Sequence, residues 1–322
     1  MDRIDAFAHV MPPDFLAEMA AAHPTEELAA LDDPRFTGHD VRLRDLNEFG
    51  VDRQVLTLAR PTIWLGLEPG EALPLVRAAN DAVRSFADVH PDRYVPVATI
   101  PFVGDGYAAE LERCLDDLDM AGVQLFSHTP DHPVDSPGHR ELYEVATDHG
   151  APVWLHPQLH EWQPWDSDYL LHKMLGWPFD TSLAMGRLVF GGVLDEFPDL
   201  VVVPHHMGAM VPHFIDRMAG LHRMSVEYEE LYPFEVNDVR GRVRELFGRF
   251  YGDTARAGAV GVLEDGFAFY GPDRLVFATD YPFGPEEGRK FLRDETGAVE
   301  AMDVTEAERA AVFGGNLERV LP

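Results

Sequence analysis

Short apolar runs of strand length alternate along the chain with segments whose hydrophobic residues recur at helical spacing. A continuous apolar run is typical of a parallel strand that is buried on both faces. Alternation of such strands with helices predicts an α/β fold built from βα units. Eight strands are predicted, at residues 4–9, 54–58, 94–100, 123–126, 153–156, 200–205, 250–253 and 275–279. We therefore expect a (β/α)8 (TIM) barrel, formed by a single domain over residues 1–322.

The segment over residues 182–197 illustrates the helical pattern. Its leucine and phenylalanine residues recur at near-helical spacing, with Asp180 or Thr181 as the predicted N-cap. Pro198 is predicted to end this helix. The same pattern predicts helices at residues 110–118 and 141–148.

Two long connections follow predicted strands, over residues 11–40 after the first strand and 158–180 after the fifth. Connections of this length usually carry a function or an interface. The second contains four large aromatic residues that could line a substrate pocket, cover it or pack on a second subunit. They are Trp162, Trp165, Tyr169 and Trp177.

Composition and charge narrow the classes of function. The chain has no apolar run of about 18 residues and no signal-peptide layout at its start. Cys114 is the single cysteine, which excludes a disulfide within one chain, and a cytoplasmic protein is expected. Aspartate and glutamate total 56 against 26 lysine and arginine, giving a net charge of −30. So acidic a surface repels nucleic acid and anionic membranes, and we expect neither as a partner.

Residues able to bind a metal or carry a proton stand where predicted core strands end. They are His9, His156, His206 (with His205 beside it) and Asp280. In a barrel, the carboxyl ends of the strands meet at one face, where active sites form. A catalytic zinc takes about three histidine or carboxylate ligands, and a nearby aspartate can shuttle a proton. His9, His156 and Asp280 could therefore converge on one axis, with His206 at the end of another strand.

Each of these residues also has a simpler interpretation. A lone histidine in a core strand is often a hydrogen-bonded structural residue, and Asp280 before Tyr281 and Pro282 could shape a turn. Four such residues at the ends of four separate strands favour a common site.

At these residues the chain resembles the amidohydrolase superfamily, specifically the branch of aminocarboxymuconate-semialdehyde decarboxylase and γ-resorcylate decarboxylase. The resemblance covers nearly the whole chain. It is carried by residues 4–12 (IDAFAHVMP), 122–126 (GVQLF), 153–157 (VWLHP), 176–181 (GWPFDT), 205–212 (HHMGAMVP), 251–255 (YGDTA), 278–283 (ATDYPF) and 315–319 (GNLER).

The resemblance implies a divalent metal, zinc in the first place with manganese as the alternative, held by His9, His156 and Asp280. It implies that His206 is a catalytic residue beside the metal. Members of this branch are commonly dimers or tetramers, so a homo-oligomer is expected.

The opening strand departs from the family pattern. That strand normally reads His-x-His or Glu-x-His, and Phe7 occupies the first of these positions. Phe7 and His9 share strand parity, so both are expected to point into the barrel, where a phenyl ring cannot bind a metal. Three ligands still suffice for an open catalytic zinc. The outcome could be an active enzyme with a lighter ligand set, a site that recruits His205 or His206, or a barrel without metal.

The first functional hypothesis is a non-oxidative decarboxylase of a small aromatic or unsaturated carboxylic acid. Protonated Asp280 would deliver its proton to the carbon that bears the carboxylate, and His206 would orient the substrate or stabilise developing charge. The alternatives are a metal-dependent hydrolase of a lactone, ester, amide or C–C bond, and a metal-free protein without activity.

Four further residues are predicted to contact the substrate. Arg60 and His128 follow the second and fourth strands and could bind its anionic group, although Arg60 could equally form a surface ion pair. Phe283 and Trp162 could stack on an aromatic ring or could simply be packing residues.

Overall fold

The computed structural model describes residues 2–59, 61–129, 132–158, 168–232 and 237–322. Each of the eight predicted strand regions contains at least one strand. The strands are β1 (Ile4–Val10), β2 (Arg53–Leu58), β3 (Tyr94–Pro96), β4 (Ala98–Thr99), β5 (Val123–Phe126), β6 (His128–Thr129), β7 (His132–Pro133), β8 (Val153–His156), β9 (Val202–Pro204), β10 (Gly252–Asp253) and β11 (Leu275–Val276).

Within the described ranges these strands form parallel sheets in the orders β1-β2-β3, β4-β5-β8-β9 and β10-β11, and β6 and β7 form a small antiparallel hairpin. Backbone hydrogen bonds also join neighbouring sheets. Val97 N donates to Leu56 O at 3.1 Å, and Tyr251 N donates to Val202 O at 2.9 Å. Ala6 N donates to Phe277 O at 2.7 Å, which joins the first strand to the last.

The helices are α1 (Pro13–Ala22), α2 (Glu26–Ala29), α3 (Pro34–Thr37), α4 (Asp40–Phe49), α5 (Pro69–Asp88), α6 (Tyr107–Asp116), α7 (Pro137–Asp148), α8 (Trp177–Phe190), α9 (Val193–Glu196), α10 (Val211–Glu227), α11 (Val243–Phe247), α12 (Val260–Tyr270), α13 (Arg289–Ala301), α14 (Glu306–Ala310) and α15 (Asn316–Glu318). Several have proline in their first turn, where its missing N–H costs no hydrogen bond. No helix in the described ranges is both long and apolar enough to cross a bilayer.

Two predicted elements differ from the structure. The strand predicted over residues 94–100 is two short strands, β3 and β4, separated at Val97. The helix predicted over residues 182–197 is also divided, into α8 and α9, at Gly191 and Gly192. Gly192 has a φ of 80°, which a helix cannot continue through. The predicted N-caps Asp180 and Thr181 lie inside α8, because that helix begins three residues earlier, at Trp177.

Buried apolar side chains form two clusters around the strands. The larger one lies between strands and helices and includes Leu56, Leu125 and Leu155. The smaller one includes Phe7, Trp154 and Val203, from three different strands. Trp154 Nε1 donates to Ala6 O at 2.7 Å, so this side of the strands is tightly filled below the strand ends. The polar strand-end residues therefore rest on a rigid apolar floor.

Candidate metal and active site

The ring nitrogens of three buried histidines converge at the carboxyl ends of the strands. His9 lies near the end of β1, His156 is the last residue of β8, and His205 follows β9. One ring nitrogen from each lies within 4.8 Å of one from each of the others. His205, His206 and Asp280 form a second group by the same measure.

The hydrogen bonds of His9 leave its Nε2 available. Thr57 Oγ1 donates to Ala8 O at 3.1 Å, so its lone pair accepts from His9 Nδ1 at 2.9 Å. With the proton on Nδ1, the lone pair of Nε2 faces the site. Nε2 lies 3.1 Å from Asp280 Oδ1, yet this buried nitrogen makes no hydrogen bond. A buried lone pair without a donor fits a metal ligand.

His156 is held in the same tautomer. Its Nδ1 donates to Pro157 O at 2.7 Å, and a carbonyl oxygen can only accept. Burial, together with the neighbouring His9 and His205, holds the pKa of His156 well below its usual range. His156 therefore presents a neutral Nε2, the form in which histidine binds metals.

His205 is paired with a carboxylate that the sequence alone did not single out. Its Nδ1 donates to Asp253 Oδ2 at 2.5 Å, and both side chains are completely buried. The other oxygen of Asp253 accepts from Met207 N at 2.9 Å and from Ala255 N at 3.2 Å. Burial lowers the pKa of His205, but the carboxylates of Asp253 and Asp280 outweigh it and raise that pKa to about 9. The sequence signals for this pair were the position of Asp253 at the end of β10 and its place in the motif over residues 251–255.

A sharp backbone turn separates His206 from His205. His206, Met207 and Ala209 all have positive φ, of 58°, 61° and 55°, which non-glycine residues adopt only when the surroundings hold them there. Tyr270 Oη holds the turn by donating to Met207 O at 3.0 Å. As a result the ring of His206 stacks on that of His205 at 3.8 Å between centroids, and its Nε2 lies 4.0 Å from Asp280 Oδ2.

Asp280 lies within 4.0 Å of three of these histidines, His9, His205 and His206. Its φ is 62°, and its backbone N donates to Phe7 O at 3.1 Å, which ties the last strand to the first. Oδ1 lies 3.1 Å from His9 Nε2 and 3.4 Å from His205 Nε2. Burial raises the pKa of Asp280, but the neighbouring His205 and His9 outweigh it and hold that pKa below its usual range.

Two cavities adjoin Asp280 and His206. One, of about 530 Å³, is lined mainly by apolar side chains, among them Trp177, Phe283 and Phe291. The other, of about 310 Å³, is more polar and is lined by Arg256 and Glu295. The larger cavity is within the size range of small-molecule sites.

The structure brings together the four strand-end residues predicted from the sequence, His9, His156, His206 and Asp280. The predicted inward direction of Phe7 is also confirmed, since its ring centroid lies 5.7 Å from that of His9. Their catalytic and metal-binding roles remain predictions.

Of the four predicted substrate contacts, the described part of the structure places only one, Phe283, at a cavity next to Asp280. Phe283 lines the larger cavity, and its ring centroid lies 5.2 Å from that of His9. His128 lies in β6 and is not among the described residues that line either cavity next to Asp280. Arg60 and Trp162 lie outside the described residues.

Comparison with known proteins places the chain in a family. The family model for amidohydrolases matches residues 4–322. The chain belongs to the amidohydrolase family. This agrees with the resemblance inferred from the sequence motifs.

Characterised relatives of this amidohydrolase include decarboxylases. The chain is 28% identical over 253 residues to 2-amino-3-carboxymuconate-6-semialdehyde decarboxylase of Dictyostelium discoideum, covering 76% of the chain and 66% of the relative. It is 26% identical over 329 residues to γ-resorcylate decarboxylase of Rhizobium sp. (strain MTP-10005), covering 97% and 95% of the two chains.

A crystal structure of a dihydroxybenzoic acid decarboxylase from Polaromonas sp. JS666, with bound manganese and the inhibitor 2-nitroresorcinol, shares the fold of this amidohydrolase. The two superpose with a TM-score of 0.79 at 23% identity, over 99% of this chain and 96% of that one.

Proposed function

We propose that this amidohydrolase is a metal-dependent decarboxylase that releases CO2, without oxidation, from a small aromatic carboxylic acid. The observation that carries the proposal is the position of Asp280. Its carboxylate lies within 3.4 Å of two histidine nitrogens and also forms part of the wall of the apolar cavity. A proton-carrying group therefore lies between a set of metal-binding nitrogens and a space that accommodates an aromatic ring. The decarboxylase activity of the relatives at 26–28% identity supports the same conclusion.

The residues present fit a divalent metal, zinc or manganese, held by His9, His156 and Asp280. Two of these are neutral imidazoles whose Nδ1 atoms are occupied, and the third is an ionised carboxylate. The manganese in the Polaromonas enzyme supports a metal of this class. When bound, such a cation supplies positive charge that attracts and polarises the oxygens of the substrate.

The larger cavity supports an aromatic acid as the substrate. Phe283 and Trp177 provide flat apolar walls against which a ring can stack. Lys173 also lines this cavity and supplies a positive charge for the carboxylate. Arg60, His128 and Trp162 remain predicted contacts without a position at the cavity among the described residues.

Asp280 is the proposed proton donor. In its protonated form it forms a C–H bond at the ring carbon that bears the carboxylate. The C–C bond to the carboxylate then breaks, its electrons restore the ring, and CO2 leaves. His206, 4.0 Å from Asp280, is placed to return a proton from the cavity.

We also infer that the three parallel sheets form one closed eight-stranded barrel in a single domain over residues 1–322. The hydrogen bonds from Val97 to Leu56, Tyr251 to Val202 and Ala6 to Phe277 support closure of the ring. A homo-dimer or tetramer is the assembly expected from the family resemblance.

The test is a substrate panel assayed on protein loaded with manganese or zinc. Release of CO2 from hydroxybenzoates is measured alongside acid release from esters and lactones. Asp280→Asn should reduce the decarboxylation rate at least about 100-fold, since general acid catalysis contributes roughly 100- to 10,000-fold. Asp92→Asn, at an exposed position, is the matched control and should leave the rate unchanged.

Acid release from esters without CO2 from any carboxylic acid would favour the hydrolase alternative. An Asp280→Asn variant with the wild-type rate would refute both mechanisms.

A further inference from the structure

Phe7 occupies a place from which a metal ligand would be expected to reach the site. Its ring centroid lies 5.7 Å from that of His9, 5.9 Å from that of His156 and 3.9 Å from that of His205. A phenyl ring has no lone pair to offer a cation. Strand β1 therefore supplies one donor, His9, and the donor set depends on what other strands contribute.

His205 supplies a nitrogen close to Asp280 Oδ1, the oxygen that His9 also approaches. Its Nε2 lies 3.4 Å from Asp280 Oδ1, and His9 Nε2 lies 3.1 Å from that oxygen. Two atoms bound about 2.0–2.1 Å from a tetrahedral zinc are roughly 3.4 Å apart. These two spacings are those of ligands that share one ion.

Asp253 fixes the orientation of His205. It accepts from His205 Nδ1 at 2.5 Å, so Nε2 is the nitrogen that faces the site, and binding of a cation would displace its proton. Metal-binding histidines typically make this kind of contact to a carboxylate through their second nitrogen. Asp253 is itself immobilised by two backbone N–H groups, those of Met207 and Ala255.

The packing of Phe7 completes this arrangement. Its ring lies almost parallel to that of His205, at an interplanar angle of 19°, and both side chains are completely buried. Phe7 is therefore a flat support that holds the imidazole against the site. The ring of His206 also stacks on that of His205, at 3.8 Å between the two ring centroids.

We propose that His205 is a fourth protein ligand of the metal, taking over the donor role that the opening strand lacks at Phe7, with Asp253 as its positioning residue. The ligand set is then His9, His156, His205 and Asp280. This inference rests on the metal dependence that the proposed function assumes, and it assigns different roles to two adjacent histidines. His205 binds the metal, whereas His206 acts on the substrate.

The test compares metal binding by His205→Gln and His206→Gln. The metal is stripped with a chelator, and affinity for Zn²⁺, Mn²⁺ and Co²⁺ is measured by competition with a chromophoric chelator. The Co²⁺ absorption spectrum reports the ligand set independently of turnover. Loss of a residue that hydrogen-bonds to a metal ligand weakens metal binding roughly 10- to 100-fold, and loss of the ligand itself should weaken it at least as much. We expect His205→Gln to weaken binding at least about 100-fold and to change the spectrum.

His206→Gln should keep the wild-type affinity and spectrum while losing decarboxylation. Asp253→Asn should weaken binding about 10- to 100-fold. Thermal unfolding of the metal-free forms checks that each variant folds. If His205→Gln is misfolded, Phe7→His combined with His205→Ala provides the second test, because it should recover metal binding relative to His205→Ala alone.

The outcomes separate this inference from the proposed function. Wild-type affinity and spectrum in a folded His205→Gln protein would overturn the role of His205 while leaving a metal-dependent decarboxylase intact. Metal binding that depends on His205, without CO2 release from any acid, would support the ligand role and refute the proposed function. A wild-type protein that takes up no metal would overturn both.

Discussion

Replacing Glu295 by Gln should make the protein more stable at alkaline pH. Glu295 is only 1% exposed. Its Oε1 accepts from Arg256 N at 2.6 Å and Gly258 N at 3.0 Å, while its buried Oε2 has no hydrogen-bond partner. Burial raises the pKa of Glu295 from 4.5 to about 8, against the effect of these two backbone N–H groups. Glutamine retains the accepting oxygen and carries no charge.

The sign of the effect follows from where the proton is bound. Below pH 4.5 the carboxyl is protonated in both the folded and the unfolded chain. Between pH 4.5 and about 8 the unfolded chain ionises while the folded chain keeps its proton. The free energy of unfolding therefore falls as pH rises through this window. Above it the carboxyl is ionised in both states, and the loss stays constant.

The size of the effect comes from the width of that window. A pKa raised from 4.5 to about 8 corresponds to an upper bound of roughly 5 kcal/mol, at about 1.4 kcal/mol per unit. Entry of water next to an ionised Glu295 would reduce this figure. We expect Glu295→Gln to be about 2–4 kcal/mol more stable than the wild type at pH 8 and nearly equal to it at pH 5.

Urea unfolding followed by circular dichroism at pH 5, 6, 7 and 8 measures the difference. Glu112→Gln removes the same charge from an exposed position on α6 and is the matched control for the overall charge of the protein. The reasoning is refuted if Glu295→Gln and Glu112→Gln show the same dependence of stability on pH.

Two further changes test the surroundings of the site. Thr57→Val removes the acceptor for His9 Nδ1 and should weaken metal binding about 10- to 100-fold in a chelator competition, whereas Thr57→Ser should not. Equal affinities of the two variants would contradict the role of that hydrogen bond. A Cβ at Gly266 would lie 2.1 Å from Met207 Sδ, so Gly266→Ala should displace the turn that carries His206. We expect kcat to fall and the free energy of unfolding to decrease by about 1–3 kcal/mol, measured as a lower melting temperature. An unchanged kcat would show that the position of this turn does not matter for catalysis.

The sequence predicts the positions of the strands because buried parallel strands are continuous apolar runs. It does not predict their interruptions. At β3 and β4 the interruption follows Pro96, which lacks a backbone N–H to donate to a neighbouring strand. The division of α8 from α9 depends on the left-handed conformation of Gly192, and glycine also occurs inside helices.

The sequence predicts a candidate-site residue only where that residue stands at the end of a predicted strand. His9, His156, His206 and Asp280 met that condition, and they lie together. The sequence could not tell His205 from His206, because their directions depend on a turn of positive φ that ordinary residues rarely adopt. Asp253 was part of a recognised motif, but its contact with His205 joins residues 48 positions apart. Such contacts depend on how the strands are placed side by side.

The union of the first and last strands constrains when the protein can mature during synthesis. Asp5 and Thr279, 274 positions apart, are joined by a hydrogen bond of 2.6 Å. Asp5 precedes His9 by four residues, and Thr279 immediately precedes Asp280. A nascent polypeptide that still lacks its last fifty residues has no Thr279 to bind Asp5 of the opening strand. The proposed metal site, which combines His9 of the first strand with Asp280 after the last, can then be completed only after the ribosome has delivered almost the entire chain, because loop closure over such a span comes late in folding. Premature termination anywhere before β11 should leave an apoprotein, however long the fragment.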